Sequence, residues 1–187
     1  AACTGPRAHL RPLLICALDT GMRRNEMLSL VWSDIDRDRG IITIRATTTK
    51  TLTGRVVVAT PRLKDELNAL WEHSEKKPEG LVFPLGNPKK AFAGACAAAK
   101  ITGLRFHDLR ATAITRMIDS GMAANLVMKI SGHTQPLTFL RYTRVDADIA
   151  TQGANALAAW LAQKGNTAVP FSATTKSDSE RLKATES

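Results

Sequence analysis

The stretch Thr-Gly-Met-Arg-Arg-Asn-Glu-Met-Leu-Ser-Leu, residues 20–30, joins two predicted helices. Apolar residues recur at helical spacing over residues 8–19, and Gly21 follows at the position of a C-terminal cap. A second helix is predicted from Arg23 to Val31. Arg23 therefore lies at a helix start, where backbone N–H groups and the helix dipole favour an anion, although a solvated helix end gives the same pattern.

The rest of the chain predicts a mostly α protein with a small antiparallel β-sheet, an α+β class. Two β-branched runs, Ile41–Ile44 and Arg55–Val58, predict paired strands with Lys50 in or beside the connecting turn. A turn is predicted over residues 33–40 and a short strand at residues 81–83. Further helices are predicted over residues 61–71, 91–100, 107–120, 125–130 and 146–164.

The formal net charge of +9 lies in the predicted folded part of the chain. Residues 165–187 carry three basic and three acidic side chains, so the whole excess belongs to residues 1–164. We expect residues 1–164 to form one domain and residues 165–187 to be a disordered polar tail. A basic globule suits a polyanionic partner such as DNA, but an ordinary solvated surface can also be basic.

The cysteines and the hydropathy of the sequence indicate the cellular compartment of the protein. The three cysteines, Cys3, Cys16 and Cys96, are odd in number and form no Cys-x-x-Cys pair, which favours buried thiols in a reducing compartment. The longest strongly apolar run, Leu13–Leu18, is far too short to span a bilayer, and charged residues interrupt any candidate signal peptide. We expect a soluble, cytoplasmic protein without a membrane partner.

Three basic side chains have spacings that suit phosphate chemistry. His107 and Arg110 are three residues apart on a predicted helix, so both can face one phosphate. Lys50, in the predicted hairpin turn, can contact a phosphate or protonate a leaving oxygen. Each has an ordinary alternative, since surface His–Arg pairs and charged turn residues are common.

Tyr142 is the single tyrosine of the chain and follows His133 by nine residues. A phenol has a pKa near ~10, so about one part in a thousand is ionised at neutral pH. Attack on a phosphodiester needs a base or a positive pocket, and cationic donors must neutralise the charge that develops. The alternative for Tyr142 is a half-buried packing residue on a helix.

In chain order, these residues resemble the catalytic domain of tyrosine recombinases of the phage integrase family. The matches span about residues 10–145, most of the predicted fold. The matching segments are Thr20–Leu30 with Trp32–Asp36, Thr49-Lys50-Thr51 with Arg55–Val58, Phe106-His107-Asp108-Leu109-Arg110, and Ser131-Gly132-His133 to Arg141-Tyr142. The resemblance implies the fold of that catalytic domain.

The resemblance also implies a set of roles and no metal or cofactor. Tyr142 would attack the scissile phosphate, giving a 3′-phosphotyrosyl bond and a free 5′-hydroxyl, and Lys50 would act as general acid. Two arginines would clamp the non-bridging oxygens, two histidines would assist with hydrogen bonds and proton transfer, and Glu26 would be a supporting residue. The implied catalytic set is Arg23, Lys50, His107, Arg110, His133 and Tyr142.

Two positions depart from the family pattern without removing a catalytic atom. Ala111 stands where the family often has His, and Ser131 replaces a frequent Leu before Gly-His. Family members usually carry an N-terminal helical DNA-binding domain. Because the first catalytic helix is predicted to start near residue 8, we expect that domain to be absent from this chain and the fragment alone to bind DNA weakly.

The partners implied by the resemblance are double-stranded DNA at specific recombination sites and, on that DNA, further copies in a homotetramer. The free protein is expected to be a monomer in the bacterial host cytoplasm. The predicted helix at residues 146–164, with Trp160 and Leu161, packs either on a neighbouring protomer or on its own core.

Two other functions remain open from the sequence. A type IB topoisomerase shares the phosphotyrosine chemistry, and relaxation of supercoils without a site requirement would distinguish it. A non-catalytic DNA-binding regulator would use only the basic charge, and its function would survive Tyr142→Phe.

Overall fold

The computed structural model describes residues 3, 5–48, 53–142 and 147–163. The chain divides into two compact units, Ala1–Arg144 and Val145–Ser187. Lys50 and the predicted polar tail lie outside the described residues.

The first unit is mainly helical over its described residues. Gly5–Leu10, Trp32–Asp34, Ala46–Thr48 and Leu140–Tyr142 are short 3₁₀ segments. The α-helices, in chain order, are α1 (Arg11–Thr20), α2 (Arg24–Leu28), α3 (Pro61–Glu72), α4 (Lys89–Ala98), α5 (Asp108–Asp119), α6 (Ala124–Ser131) and α7 (Pro136–Phe139).

Local sequence sets several of these helix ends. Thr60 accepts a hydrogen bond from the backbone N–H of Leu63 at 3.3 Å, and Pro61 occupies the first turn of α3, where its missing N–H costs nothing. Gly21 and Gly132 end α1 and α6 in the left-handed conformation, with φ of 62° and 73°. The predicted glycine cap at Gly21 is therefore confirmed.

The three strands described form one antiparallel sheet in the order β1 (Ile35–Asp36), β2 (Ile41–Ile44) and β3 (Arg55–Val58). Ile42 pairs with Val57, and both side chains are buried against the helices. The predicted pairing of β2 with β3 is confirmed. The strand β1 falls where the sequence predicted only a turn, because Ile35 pairs with Ile42 across a tight connection.

Helix α2 is shorter than predicted and ends at Leu28 instead of Val31. The following residues pair across to a loop: Leu30 accepts from Val82 N–H at 2.9 Å, and Trp32 N–H donates to Gly80 at 3.1 Å. The predicted strand at residues 81–83 is reduced to a single bridge between Val31 and Leu81. These long-range hydrogen bonds take the place of the helical hydrogen bonds that one further turn of α2 would make.

The main core lies between α1, the sheet and the neighbouring helices. Trp32 meets Trp71 edge to face, with ring centroids 5.1 Å apart. A smaller cluster of Ile114, Met117, Val127 and Phe139 packs α5, α6 and α7 together. This second cluster brings the end of α6 and the segment after it toward α5.

The second unit is described for one helix, α8 (Ala147–Gln163). Leu157, Trp160 and Leu161 of α8 are each about half exposed. Among the described residues, no helix combines the length and apolarity needed to cross a bilayer.

One buried carboxylate connects three elements of the first unit. Glu26 on α2 is 1% exposed and its Oε2 accepts from Arg55 Nη2 at 2.6 Å, while Arg55 is itself 9% exposed. Arg55 also donates from Nε to the Ile130 carbonyl of α6 at 2.7 Å. The hydrogen bonds of Arg55 therefore join β3 to both α2 and α6.

Glu26 also holds Arg23. Its Oε1 accepts from Arg23 Nη1 at 2.9 Å, and its Oε2 accepts from the Arg23 backbone N–H at 2.8 Å. Burial alone raises the pKa of Glu26, but the hydrogen bonds from Arg55 and Arg23 outweigh it, so the pKa is lowered. Glu26 therefore stays ionised at neutral pH.

Replacing Arg55 by Met should leave Glu26 buried with only one cationic partner. We expect a loss of about 3 kcal/mol in the free energy of unfolding, measured with urea, because removing one partner of a buried ion pair strands the other charge. The matched control is Lys76→Met. Lys76 pairs with Glu72 at 2.6 Å on the surface, and such solvent-exposed pairs contribute little to stability. Equal losses in the two variants would contradict a special role for Arg55.

The lowered pKa of Glu26 predicts a pH dependence of stability. Its carboxylate contributes stability above its ordinary pKa of 4.5, and that contribution is lost as the pH falls through the folded-state value. The difference in unfolding free energy between the parent protein and Glu26→Gln should therefore shrink as the pH falls below about 5. Glu75→Gln, which removes a carboxylate from an exposed pair with Lys77, is the control, and its difference should change less. A constant difference for Glu26→Gln would refute the assignment.

Candidate active site

Arg23 stands at the start of α2, as the N-cap residue, with extended backbone angles of φ −70° and ψ 147°. Its Nη2 donates to the Gly132 carbonyl at 3.1 Å, and its side chain is partly exposed. The guanidinium thus joins the start of α2 to the end of α6 and still reaches solvent. The sequence predicted this location at a helix start.

Arg110 is on the first turn of α5 and is 5% exposed. Its Nη1 donates to the Gly21 carbonyl at 2.6 Å, and its Nη2 lies 3.3 Å from His133 Nδ1. Burial lowers the pKa of Arg110 to about 10, with the nearby positive charge of Arg23 adding to the effect. The guanidinium remains charged at neutral pH.

Among the residues that the structure describes, the charges at this location do not balance. Arg23, Arg55 and Arg110 supply three positive charges, and Glu26 supplies one negative charge. Both Arg23 and Arg55 depress the pKa of Arg110, so the cations destabilise one another. An anion bound beside Arg23 and Arg110 would relieve that repulsion, and a phosphate matches the planar geometry of a guanidinium.

His133 follows the glycine cap of α6. Its backbone N–H donates to the Met128 carbonyl at 2.9 Å, which fixes the chain direction as it leaves the helix. Its Nδ1 lies 2.8 Å from Ser131 Oγ. The imidazole therefore contacts both Arg110 and Ser131.

Tyr142 is partly buried at the end of the 3₁₀ segment after α7. Its ring centroid is 5.8 Å from that of His133 and 6.0 Å from that of Phe139, in edge-to-face arrangements. Tyr142 also bears on the pKa of Arg110, which its phenolate would raise. Tyr142 thus combines the packing role of the alternative interpretation with proximity to an arginine and a histidine.

His107 is the N-cap residue of α5 and is exposed. It lines a cleft of about 950 Å³ together with Arg23 and Arg110. Further basic side chains on the wall of this cleft are Arg24, Lys89 and Arg105. His133 and Tyr142 do not line the cleft, but His133 contacts Arg110, which does, and Tyr142 packs beside His133.

The structure brings five of the seven predicted site residues into one neighbourhood: Glu26, Arg23, Arg110, His133 and Tyr142. His107 lies on the adjoining cleft. Lys50 is outside the described residues, although Thr47 and Thr48, just before it in the hairpin, line the same cleft.

Arg55 is the residue of this neighbourhood that the sequence did not identify. The alternation of buried and exposed residues along β3 could have identified Arg55. It shares a face with the buried Val57, while Val56 and Val58 are exposed. A charged side chain on the buried face of a strand needs a partner. The Arg55 side chain leaves no room for a larger residue at position 132, because a Cβ there would lie 2.9 Å from Arg55 Cζ.

Curated proteins with a similar sequence are integrases and recombinases. The Integrase of Salmonella phage P22 is 25% identical over 160 residues, which cover 78% of this chain and 41% of that protein. Tyrosine recombinase XerC of Corynebacterium glutamicum is 32% identical over 157 residues, covering 78% of this chain and 50% of its own length. The chain thus spans half or less of these two relatives.

Solved structures show the same fold. The Tn1549 transposon Integrase, solved in complex with a circular intermediate DNA, superposes with a TM-score of 0.67 at 15% identity, covering 82% of this chain and 60% of that one. The sequence model of the phage integrase family matches residues 2–148. With that match extending over most of its length, the chain belongs to the phage integrase family.

Proposed function

We propose that this chain is the catalytic part of a site-specific DNA recombinase, which cuts and rejoins DNA strands through a 3′-phosphotyrosyl intermediate. The observation that carries the proposal is the proximity of Tyr142 to Arg110 and His133, beside a second guanidinium at Arg23. Family membership supports the same reaction.

Arg23 and Arg110 supply the electrostatic part of the mechanism. Each has one nitrogen anchored on a backbone carbonyl, Gly132 for Arg23 and Gly21 for Arg110, so neither must reorganise to meet a phosphate. They bind the non-bridging oxygens, whose negative charge increases as the phosphorus is attacked. Donors fixed in advance stabilise that charge more effectively than solvent does.

The covalent steps conserve the phosphodiester energy. The Tyr142 oxygen bonds to phosphorus as its proton leaves, the bond from phosphorus to the 5′-oxygen breaks, and that oxygen takes a proton. His133 and His107 assist by hydrogen bonding and proton transfer, and Lys50 is the proposed acid for the 5′-oxygen. Religation reverses these steps, so no ATP is consumed.

The proposed partner is double-stranded DNA, bound along the cleft that Arg23, Arg24, Lys89, Arg105 and His107 line. Lysine and arginine contacts of this kind position a DNA backbone without reading its sequence. We propose that residues 1–164 act as the catalytic domain within a homotetramer on DNA, in the bacterial cytoplasm. The DNA-bound Tn1549 Integrase, which has the same fold, supports the choice of partner.

The substitution Tyr142→Phe should abolish the covalent protein–DNA adduct while leaving DNA affinity within about twofold, because one hydroxyl adds little to a charge-dominated interface. The substrate is a pool of nicked duplexes with randomised sequence around the nick, which traps the intermediate. Mass spectrometry of the adduct identifies the attached residue. An adduct on another side chain, or on the Phe variant, would refute Tyr142 as nucleophile.

The substitution Arg110→Lys should lower the adduct-forming rate by about 10²-fold or more, the usual cost of removing one oxyanion donor. A lysine keeps the charge but cannot reach the Gly21 carbonyl and a phosphate at once. The matched control is Arg116→Lys, an exposed arginine on the same helix, which should retain the parent rate. Equal rates for the two variants would contradict the proposed binding of the phosphate by Arg110.

A separate assay distinguishes the topoisomerase alternative. Relaxation of any supercoiled plasmid by the parent protein, without preference for a site, would replace the recombinase assignment with that of a type IB topoisomerase.

A further inference from the structure

Ser131 is the last residue of α6 and is 0% exposed. Its Oγ lies 2.6 Å from the Val127 carbonyl and 3.4 Å from the Met128 carbonyl. The same oxygen lies 2.8 Å from Nδ1 of His133. Ser131 thus connects the body of α6 directly to the imidazole.

The single hydroxyl proton of Ser131 fixes the direction of these hydrogen bonds. A carbonyl oxygen can only accept, and two oxygens 2.6 Å apart repel each other unless a proton lies between them. The Ser131 hydroxyl therefore donates to Val127. Toward His133 the oxygen can then only accept, so the hydrogen of that contact belongs to Nδ1 of the imidazole.

The tautomer of neutral His133 follows from this assignment. With its hydrogen on Nδ1, the ring has its acceptor lone pair on Nε2. Arg110 Nη2 lies 3.3 Å from Nδ1 and 3.5 Å from Nε2. A guanidinium can only donate hydrogen bonds. In this tautomer Nε2 is therefore the ring atom that can accept a hydrogen bond from Arg110.

We propose that Ser131 is a positioning residue that holds His133 in the Nδ1–H tautomer and so directs the Nε2 lone pair toward Arg110. This inference rests on the proposed recombinase function for its catalytic consequence. The hydrogen bond to Nε2 would then hold the Arg110 guanidinium in place for the non-bridging oxygens of the phosphate. A leucine at position 131, frequent in the family that the sequence resembles, has no oxygen to hold Nδ1–H.

The tautomer can be measured without any DNA. In protein labelled with ¹⁵N-histidine, the two ring nitrogens of neutral His133 give distinct signals, assigned by their loss in His133→Gln. We expect Nδ1 to carry the hydrogen in the parent protein and a shift of the population toward Nε2–H in Ser131→Ala. A parent His133 with its hydrogen on Nε2 would overturn the proposal directly, even if no variant folds.

The control for this measurement is Ser120→Ala. Ser120 directly follows the last residue of α5, and its hydroxyl donates to the Met117 carbonyl at 2.7 Å. Among the described residues it makes no hydrogen bond to a histidine. Its loss should leave the His133 signals unchanged. An unchanged tautomer in Ser131→Ala as well would show that Ser131 does not act on the ring.

The catalytic consequence is measured as the rate of adduct formation on the nicked duplexes. Ser131→Ala should lower that rate roughly tenfold, the value of one neutral hydrogen bond, and Ser131→Thr, which keeps the hydroxyl, should recover it. A normal rate together with a shifted tautomer would refute the catalytic consequence of the tautomer. If the parent protein forms no adduct at all, the proposed function fails, whereas the tautomer measurement still decides whether Ser131 fixes the ring.

Discussion

The carboxylate of Glu26 is buried and ionised, so it must be surrounded by cations, and this constraint organises the first unit. Two guanidiniums satisfy it from different directions, Arg23 from the same helix and Arg55 from the sheet. Arg55 extends the connection to α6 through the Ile130 carbonyl. Segments far apart in sequence thus meet at one charge, and removing that charge would leave two arginines without a common anchor.

The ends of helices supply the remaining anchors. Gly21 and Gly132 each end a helix in the left-handed conformation, and each carbonyl accepts from an arginine of another segment. The C-terminal end of a helix carries partial negative charge, which favours a nearby cation. The two arginines are therefore held by backbone groups, whose positions are more rigid than those of side chains. This arrangement can keep like charges close together before an anion arrives.

Much of the fold could be predicted because its signals are local. Gly21 as a cap, Pro61 at a helix start and the β-branched pair of strands each depend on neighbouring residues alone. The end of α2 and the strand at Ile35 were not predicted, since both depend on hydrogen bonds to distant segments.

The candidate site follows the same division. Arg23, Arg110 and His133 were identified from motifs, and the structure brings them together. Arg55 was not identified, although the burial of Val57 on the same strand face would have marked it as inward-facing. Its role depends on the buried carboxylate of Glu26, a residue distant in the chain, and no local pattern predicts that ion pair.

The buried pairing of Glu26 with Arg55 also has a thermal consequence. The cost of stripping water from charged groups falls on heating, whereas the gain from burying apolar surface levels off. On warming, the contribution of this junction should therefore grow relative to that of the aliphatic packing around it.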